Sequence, residues 1–181
     1  MNERQLIERY KIGNRDFTDQ KLAYSNLSGA ELAGANFSKA SLFASRLQKA
    51  DLRQSNLAHS NRTGADLQYA RLSGACLTEA SLTGANLFGA DLSGTTTDLS
   101  GSNLTWADLC EANLDGANLN GARMVGARLT NASLRDTNLA GVDLTDAHLE
   151  NADLTGADLT GAVLTAADLR GAKLPSRKIK V

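Results

Sequence analysis

Carboxylates are the residues of this sequence that could most readily do chemistry, because they recur at regular intervals. Asp or Asn stands directly before Leu along most of the chain, as at Asp91, Asp153, Asp158 and Asp168. Repeated acids could serve in carboxylate catalysis or in calcium binding. Short polar side chains also hydrogen-bond to local backbone groups at turns, and their regular repetition favours this structural role. Calcium-binding solenoids use a glycine-rich nine-residue repeat, which this sequence lacks.

Other residues with chemical potential lie far apart along the chain. His59 and His148 have no cysteine or carboxylate cluster at metal-ligand spacing. Cys76 and Cys110 are predicted to point outward, too far apart for a disulfide. No Ser-His-Asp set and no glycine-rich phosphate loop stands out. We therefore predict a protein that is not an enzyme, with no catalytic, cofactor-binding or metal-binding residues.

A five-residue repeat, Ala-(Asp/Asn)-Leu-x-Gly, positions the acids and is clearest at residues 85–94 and 152–161. Its central residue, usually Leu, recurs from Phe17 to Leu92 and, after a slip of two residues, from Leu99 to Leu174. The residue two places before each centre is small almost throughout. A period of five fits neither an α-helix nor a β-strand. We therefore expect the chain to turn a corner after every pentapeptide.

Four corners close one coil of twenty residues, with the central and small residues pointing inward. Such a coil buries its apolar side chains only when coils stack, as in other solenoids. The sequence holds 32 pentapeptides, which give about eight coils and a rod of roughly 38 Å. The fold class is therefore predicted to be an all-β solenoid, a parallel β-helix spanning residues 15–174 and followed by a tail at 175–181.

A short helix is predicted to cover the first coil from residues 1–14. Asn2 and Gln5 have the spacing of a capping box. Leu6, Ile7 and Tyr10 lie on one face at helical spacing. Because so short a helix is only marginally stable alone, we expect it to pack on the end of the coil stack.

These repeats resemble the pentapeptide-repeat protein family, whose consensus is A(D/N)Lxx, over residues 15–174. The resemblance implies a right-handed quadrilateral β-helix. The short N-terminal capping helix is also similar to that of cyanobacterial members. The repeat builds the scaffold itself, so the resemblance says much about the fold and little about the function.

Composition limits the classes of partner. A net charge of -1 argues against a general nucleic-acid binder and against a strongly acidic DNA imitator. No apolar run reaches membrane length, and no charged stretch leads into an apolar one at the N-terminus. We expect a cytoplasmic protein that binds neither nucleic acid nor membrane directly. Because the last coil lacks a helical cap, a monomer or an end-to-end dimer is expected.

Departures from the repeat are the candidate partner contacts. Arg62 stands where every other centre is apolar. Since an unpaired buried guanidinium is expensive, we favour a local bulge that turns Arg62 outward, with a partner inside the tube as the alternative. The slip at Thr95, Thr96, Thr97 and Asp98 predicts a small loop, and Trp106 follows it at an outward position. Trp106 either packs on this loop or forms a partner-contact site with it.

Two aromatic pairs are also predicted on the outside. Tyr24 and Phe43 are 19 residues apart, as are Tyr69 and Phe88, so each pair should touch across adjacent coils. Such contacts either stabilise the stack or mark a protein-binding patch.

The leading functional hypothesis is a non-enzymatic scaffold that binds an unknown protein partner. The alternative comes from the family resemblance, because some members resemble duplex DNA, bind DNA gyrase and confer quinolone resistance. One face of the predicted rod carries a mild acidic stripe, formed by Asp16, Asp19, Glu79, Asp98 and Asp158 against Lys39. This chain differs from those members in having no predicted C-terminal helix and only a two-residue loop.

Overall fold

The computed structural model describes residues 1–176 and consists of one short helix followed by a stack of coils. Helix α1 spans Glu3–Lys11, with Asn2 as its N-cap and Ile12 as its C-cap. The Asn2 side chain accepts a hydrogen bond from the Gln5 backbone N–H, and the Gln5 side chain accepts one from the Asn2 backbone N–H. This is the capping box that the sequence predicts.

The coils are joined by parallel backbone bridges from Asp16 to Lys173, with one bridge residue in each pentapeptide. Partners lie twenty residues apart, as in Asp16–Asn36 and Lys21–Ser41, so four pentapeptides complete one coil. The bridge residues are single positions between turns, and none extends into a longer strand. The repeat therefore forms the predicted solenoid.

Corners follow each central residue. Two residues after the centre, the backbone enters the left-handed region, for example at Gly84 (φ 61°). Glycine adopts this conformation without steric strain, which explains its frequency at the last repeat position. The centre's own N–H donates to the next coil, as Leu82 N does to Asn103 O at 2.7 Å.

The slip is absorbed at one corner. Cys76 bridges to Asp98, 22 residues on, and Asp98 bridges to Asn118 at the normal interval. Thr95 and Thr96 are exposed, whereas Thr97 is fully buried in the wall. The Thr97 hydroxyl accepts from the Gly74 N–H at 2.8 Å and donates to Ser93 O at 2.7 Å. The loop is therefore confined to two residues, and Thr97 and Asp98 belong to the repeat.

The core is a column of central residues, mostly Leu, flanked by small side chains. Phe17 and Phe37 stack at 5.3 Å between ring centroids, so these two centres occupy one column. Helix α1 adds buried Leu6 to this core, and the Tyr10 hydroxyl donates to Ala33 O at 2.8 Å. No helix in residues 1–176 has the length and apolarity needed to cross a membrane.

Arg62 does not leave the tube, so the predicted bulge is wrong. Asn61 bridges normally to Ser41 and Ser81, and Arg62 N donates to Ser81 O at 2.7 Å. With the backbone in register, the Arg62 side chain points inward like every other centre and is 0% exposed. Keeping these backbone hydrogen bonds fixes the direction of the side chain despite its charge.

Candidate interaction face

Outward positions form four faces, because residues twenty apart stack. In each pentapeptide, the bridge residue and the two residues after the centre lie on the outside of the wall. We number the faces in chain order from their first bridge residues, which are Asp16, Lys21, Asn26 and Glu31.

The second face lacks charged side chains over four successive coils. We define these positions as the uncharged face: Ser41, Phe43, Ala44, Asn61, Thr63, Gly64, Ser81, Thr83, Gly84, Asn103, Thr105 and Trp106. Lys21 lies one coil before this face and Arg123 one coil after it. Such a long uncharged surface is unusual in a protein in which 22% of residues are charged.

Exposed aromatic rings mark both ends of the uncharged face. Tyr24 is 73% exposed and meets Phe43 edge to face at 5.5 Å, which confirms the predicted contact. Trp106 is 64% exposed, and its ring covers Gly126 in the next coil so closely that a Cβ there would collide with it. Tyr24 and Trp106 occupy the same corner four coils apart, a separation of roughly 19 Å.

Between the aromatic ends the surface is flat and polar. The Thr63 and Ser81 hydroxyls are hydrogen-bonded at 2.9 Å. The Asn61 side chain accepts from the Thr63 N–H at 3.0 Å, as a short polar residue does at a turn. Above Gly64 and Gly84 there is open space, since a Cβ added at either would meet no atom within 4 Å. A partner could therefore approach the backbone closely here.

The third and fourth faces differ because they carry charged side chains, several of which form ion pairs. The closest contacts are Asp51–Arg53 at 2.6 Å, Arg128–Asp108 at 2.8 Å, Asp168–Arg170 at 2.6 Å and Lys173–Asp153 at 3.2 Å. The hydrogen bond from Arg53 lowers the pKa of Asp51. Hydrogen bonds from Thr155 are the main reason that the pKa of Asp153 falls to about 2.

Arg62 lies directly under the uncharged face, between outward Asn61 and Thr63. Its Nη1 donates to Leu57 O at 3.3 Å and to the Ser60 hydroxyl. Within the described chain, its Nε and Nη2 have no hydrogen-bond partner. Burial lowers the pKa of Arg62 to about 9.

Trp106 and the two-residue loop do not form a single site. Thr95 packs against Gly116, with its Cγ2 3.5 Å from where a glycine Cβ would be, and Thr96 lies against Gly74. Both glycines are at the corner after the fourth face, whereas Trp106 is at the corner after the second. The prediction that Trp106 packs on the loop is therefore wrong. Tyr69 and Phe88 do meet, edge to face at 5.6 Å, on the third face.

Residues that could carry chemistry stay scattered. Among residues 1–176, no group of three or more His, Cys, Asp or Glu side chains could hold a metal ion. The Nδ1 atom of His59 lies 3.2 Å from Glu79 Oε2, a pair of side chains and not a cluster of three. Cys110 stands at an outward position, one residue after the centre Leu109, yet it is buried, and burial raises the pKa of its thiol.

Sequence comparison matches the pentapeptide-repeat profile to residues 16–48, 45–84, 65–96, 97–136 and 137–174, with eight copies. The chain belongs to the pentapeptide-repeat family. A comparison with curated proteins gives no significant match.

Solved pentapeptide-repeat structures are similar to the chain along most of its length. Trypsin-treated QnrB1, a plasmid-mediated fluoroquinolone resistance protein, is 21% identical over 89% of this chain and 83% of its own, with a TM-score of 0.67. HetL, involved in heterocyst differentiation regulation in Nostoc sp. strain PCC 7120, is 33% identical over 99% of each chain, with a TM-score of 0.35. Rfr23 from Cyanothece 51142 is 26% identical over 88% of this chain and 97% of its own, with a TM-score of 0.26.

Proposed function

We propose that this pentapeptide-repeat protein is a non-enzymatic scaffold and that its uncharged face docks one protein partner. The observation that carries the proposal is the absence of charge over four coils between exposed Tyr24 and Trp106. The centres of protein interfaces are depleted of charged residues, and Trp and Tyr dominate their energetics. On the third and fourth faces, by contrast, charged side chains are present and several of them form ion pairs within the rod.

A rigid rod suits this role because little order has to be gained when the partner binds. We infer that the rigid unit is a right-handed quadrilateral β-helix of about eight coils in residues 15–174. Residues 1–14 act as its cap and residues 175–181 as a tail, of which 177–181 lie outside the described residues. Tyr69, Phe88 and the Thr95–Thr96 loop lie on other faces and serve as comparison sites.

Site-specific photocrosslinking in an extract of the native host tests the proposal. A photoreactive amino acid at Thr83, in the middle of the uncharged face, should capture a partner, whereas the same group at Thr155 on the fourth face should not. Combining Trp106→Ala with Tyr24→Ala should reduce capture at Thr83 at least about tenfold, since each is a potential hot spot.

Tyr69→Ala is the matched control, because it removes an exposed ring from the third face and should leave capture at Thr83 unchanged. Equal capture from Thr83 and Thr155, or capture that survives the double substitution, would contradict the assignment of this face.

The alternative function is inhibition or protection of DNA gyrase by imitation of DNA. The acidic excess of the first face supports it, with Asp16, Asp19, Glu79, Asp98 and Asp158 against Lys39. The acids are unevenly spaced, and Asn118 and Asn138 occupy the bridge positions between Asp98 and Asp158. A supercoiling assay separates the two functions: the scaffold proposal expects no change in gyrase activity at micromolar protein.

A further inference from the structure

Arg62 connects the core of the rod to the uncharged face above it. Its guanidinium is 0% exposed, and only Nη1 is hydrogen-bonded. Nε and Nη2, which carry three N–H groups, have no partner in the described chain. Among residues 1–176 no acidic side chain is buried beside them, because Arg62 is the one charged residue buried in that range. A charge in this position destabilises the closed coil.

The backbone around Arg62 offers a short route outward. Neighbouring residues on an extended segment point to opposite sides of the wall, so Asn61 and Thr63 lie outside while Arg62 lies inside. Adding one residue to the local register, as a β-bulge does, reverses the direction of the side chain. Such a bulge at residues 61–63 disturbs the bridges of Asn61 to Ser41 and Ser81. It returns the guanidinium to water or to an external partner.

We propose that Arg62 is a concealed cation of the uncharged face and that it turns outward to bind a carboxylate of the protein partner. The inference rests on the proposed function and specifies the chemistry of the partner: an Asp or Glu set within an uncharged, apolar surface. A guanidinium binds a carboxylate through two parallel hydrogen bonds, which satisfies the nitrogens left unpaired inside the tube.

The surroundings make Arg62 the cation available for this role. Lys21 and Arg123, the nearest charged positions on the same face, are two and three coils away from Arg62 along the rod. Both stay outside the uncharged face, so neither competes for a carboxylate docked at its middle. Binding at this point therefore couples partner recognition to opening of the third coil.

Hydrogen exchange of the full chain tests the opening without any partner. The amides of Arg62 and Gly64 should exchange at least about tenfold faster than those of Leu82 and Gly84, which occupy the same positions one coil later. Arg62→Leu should remove the difference, because all other centres of this column are apolar. Equal exchange at the two coils in the natural chain would overturn the proposal.

An NMR titration with sodium acetate, the probe for a carboxylate, tests binding at matched ionic strength against sodium chloride. Acetate should shift the Arg62 Nε–Hε signal and the Asn61 and Thr63 amides saturably, whereas chloride should not. In Arg62→Leu the two amides should not respond. Equal responses to both salts, or an unchanged response in Arg62→Leu, would overturn the inference.

Both measurements use the chain alone, so they are independent of photocrosslinking at Thr83. If capture succeeds and acetate has no specific effect, the uncharged face is supported as the docking surface, and the proposal that Arg62 binds a carboxylate is rejected. If acetate binds and no protein is captured at Thr83, Arg62 is an anion-binding residue, but the claim that the anion belongs to a protein partner is rejected.

Discussion

A guanidinium with two unpaired nitrogens inside a leucine core should reduce the stability of the rod. The reason is that the groups lose hydration on burial and gain only two hydrogen bonds, to Leu57 O and the Ser60 hydroxyl. We predict that Arg62→Leu raises the free energy of unfolding by about 1–4 kcal/mol, the range seen when buried charges are replaced by apolar residues. Chemical denaturation measures this, and a loss of stability would reveal a buried partner for Arg62.

The stability difference between the natural chain and Arg62→Leu should depend on pH. Burial lowers the pKa of native Arg62 to about 9, far below the ordinary value of a guanidinium in water. Below pH 9 the charge is present in both the native and the unfolded chain, and its penalty is complete. Above pH 9 the native chain releases the proton and the unfolded chain keeps it, so the free energy of unfolding rises by up to about 1.4 kcal/mol per pH unit.

The natural chain should therefore approach Arg62→Leu in stability as the pH rises from about 8 to about 10. Other groups titrate in both proteins and cancel in the difference. A constant difference over this range would show that the buried guanidinium keeps its proton.

Gly126 illustrates how a single corner supports Trp106. Its φ of 63° disfavours any side chain, and the Trp106 ring occupies the space of a Cβ. We predict that Gly126→Ala displaces the ring and destabilises the chain by more than about 1 kcal/mol. Gly84→Ala is the matched control, because it has a similar φ of 61° and open space. Trp106 is the single tryptophan, so its fluorescence reports displacement directly and should change only in Gly126→Ala.

Helix α1 stabilises the first coil through contacts that no repeat could supply. Leu6 is fully buried, and the Glu3 carboxylate accepts from the Asn26 N–H at 2.8 Å. We predict that Leu6→Ala lowers the free energy of unfolding by about 2–5 kcal/mol, as for other buried leucines. Deleting residues 1–12 should expose the first coil and cause aggregation, measurable by light scattering after size exclusion. A monomer with an unchanged melting curve would contradict the capping role.

The sequence predicts the elements well because their determinants are local or strictly periodic. The capping box at Asn2 and Gln5 and the two outer aromatic pairs follow from spacing. The inward orientation of the Arg62 side chain does not follow from the sequence. It depends on whether the backbone hydrogen bonds of an unbroken bridge outweigh the cost of burying a charge, and residue preferences do not give the result of that comparison. Trp106 and the loop are close in sequence, yet they lie two corners apart, after the second and the fourth face.

The uncharged face illustrates the same limit for the candidate site. Aromatic residues and the unusual centre are visible one at a time in the sequence. The absence of charge is visible only when residues twenty apart are stacked and each face is read separately. A count of charges on each face is the signal in the sequence that reveals this surface.

Over the whole molecule, stability should fall toward the C-terminal end. Leu174, in the last described repeat, is 46% exposed, whereas the centres Leu82 and Leu92 in the middle of the rod are fully buried. Each coil contacts only its neighbours, so a terminal coil has half the interface of an inner one. We predict that amides of residues 157–174 exchange faster than those of residues 77–92, as followed by hydrogen exchange mass spectrometry.

Hydrogen exchange measured at several protein concentrations distinguishes a monomer from an end-to-end dimer. In a monomer the faster exchange of residues 157–174 is independent of protein concentration. In an end-to-end dimer it slows as the concentration rises, because the partner coil covers these amides. Uniform exchange along the rod at all concentrations would contradict the predicted gradient.

The two-residue slip shows that such a rod tolerates an insertion at a corner. Thr95 and Thr96 enter and leave at one corner, and the bridges Cys76–Asp98 and Asp98–Asn118 keep the alignment of every coil beyond it. An insertion at a corner therefore leaves the backbone bridges of the other coils unchanged. The position between Gly94 and Thr97 is therefore an insertion site, where a foreign peptide can be displayed on an otherwise unchanged scaffold.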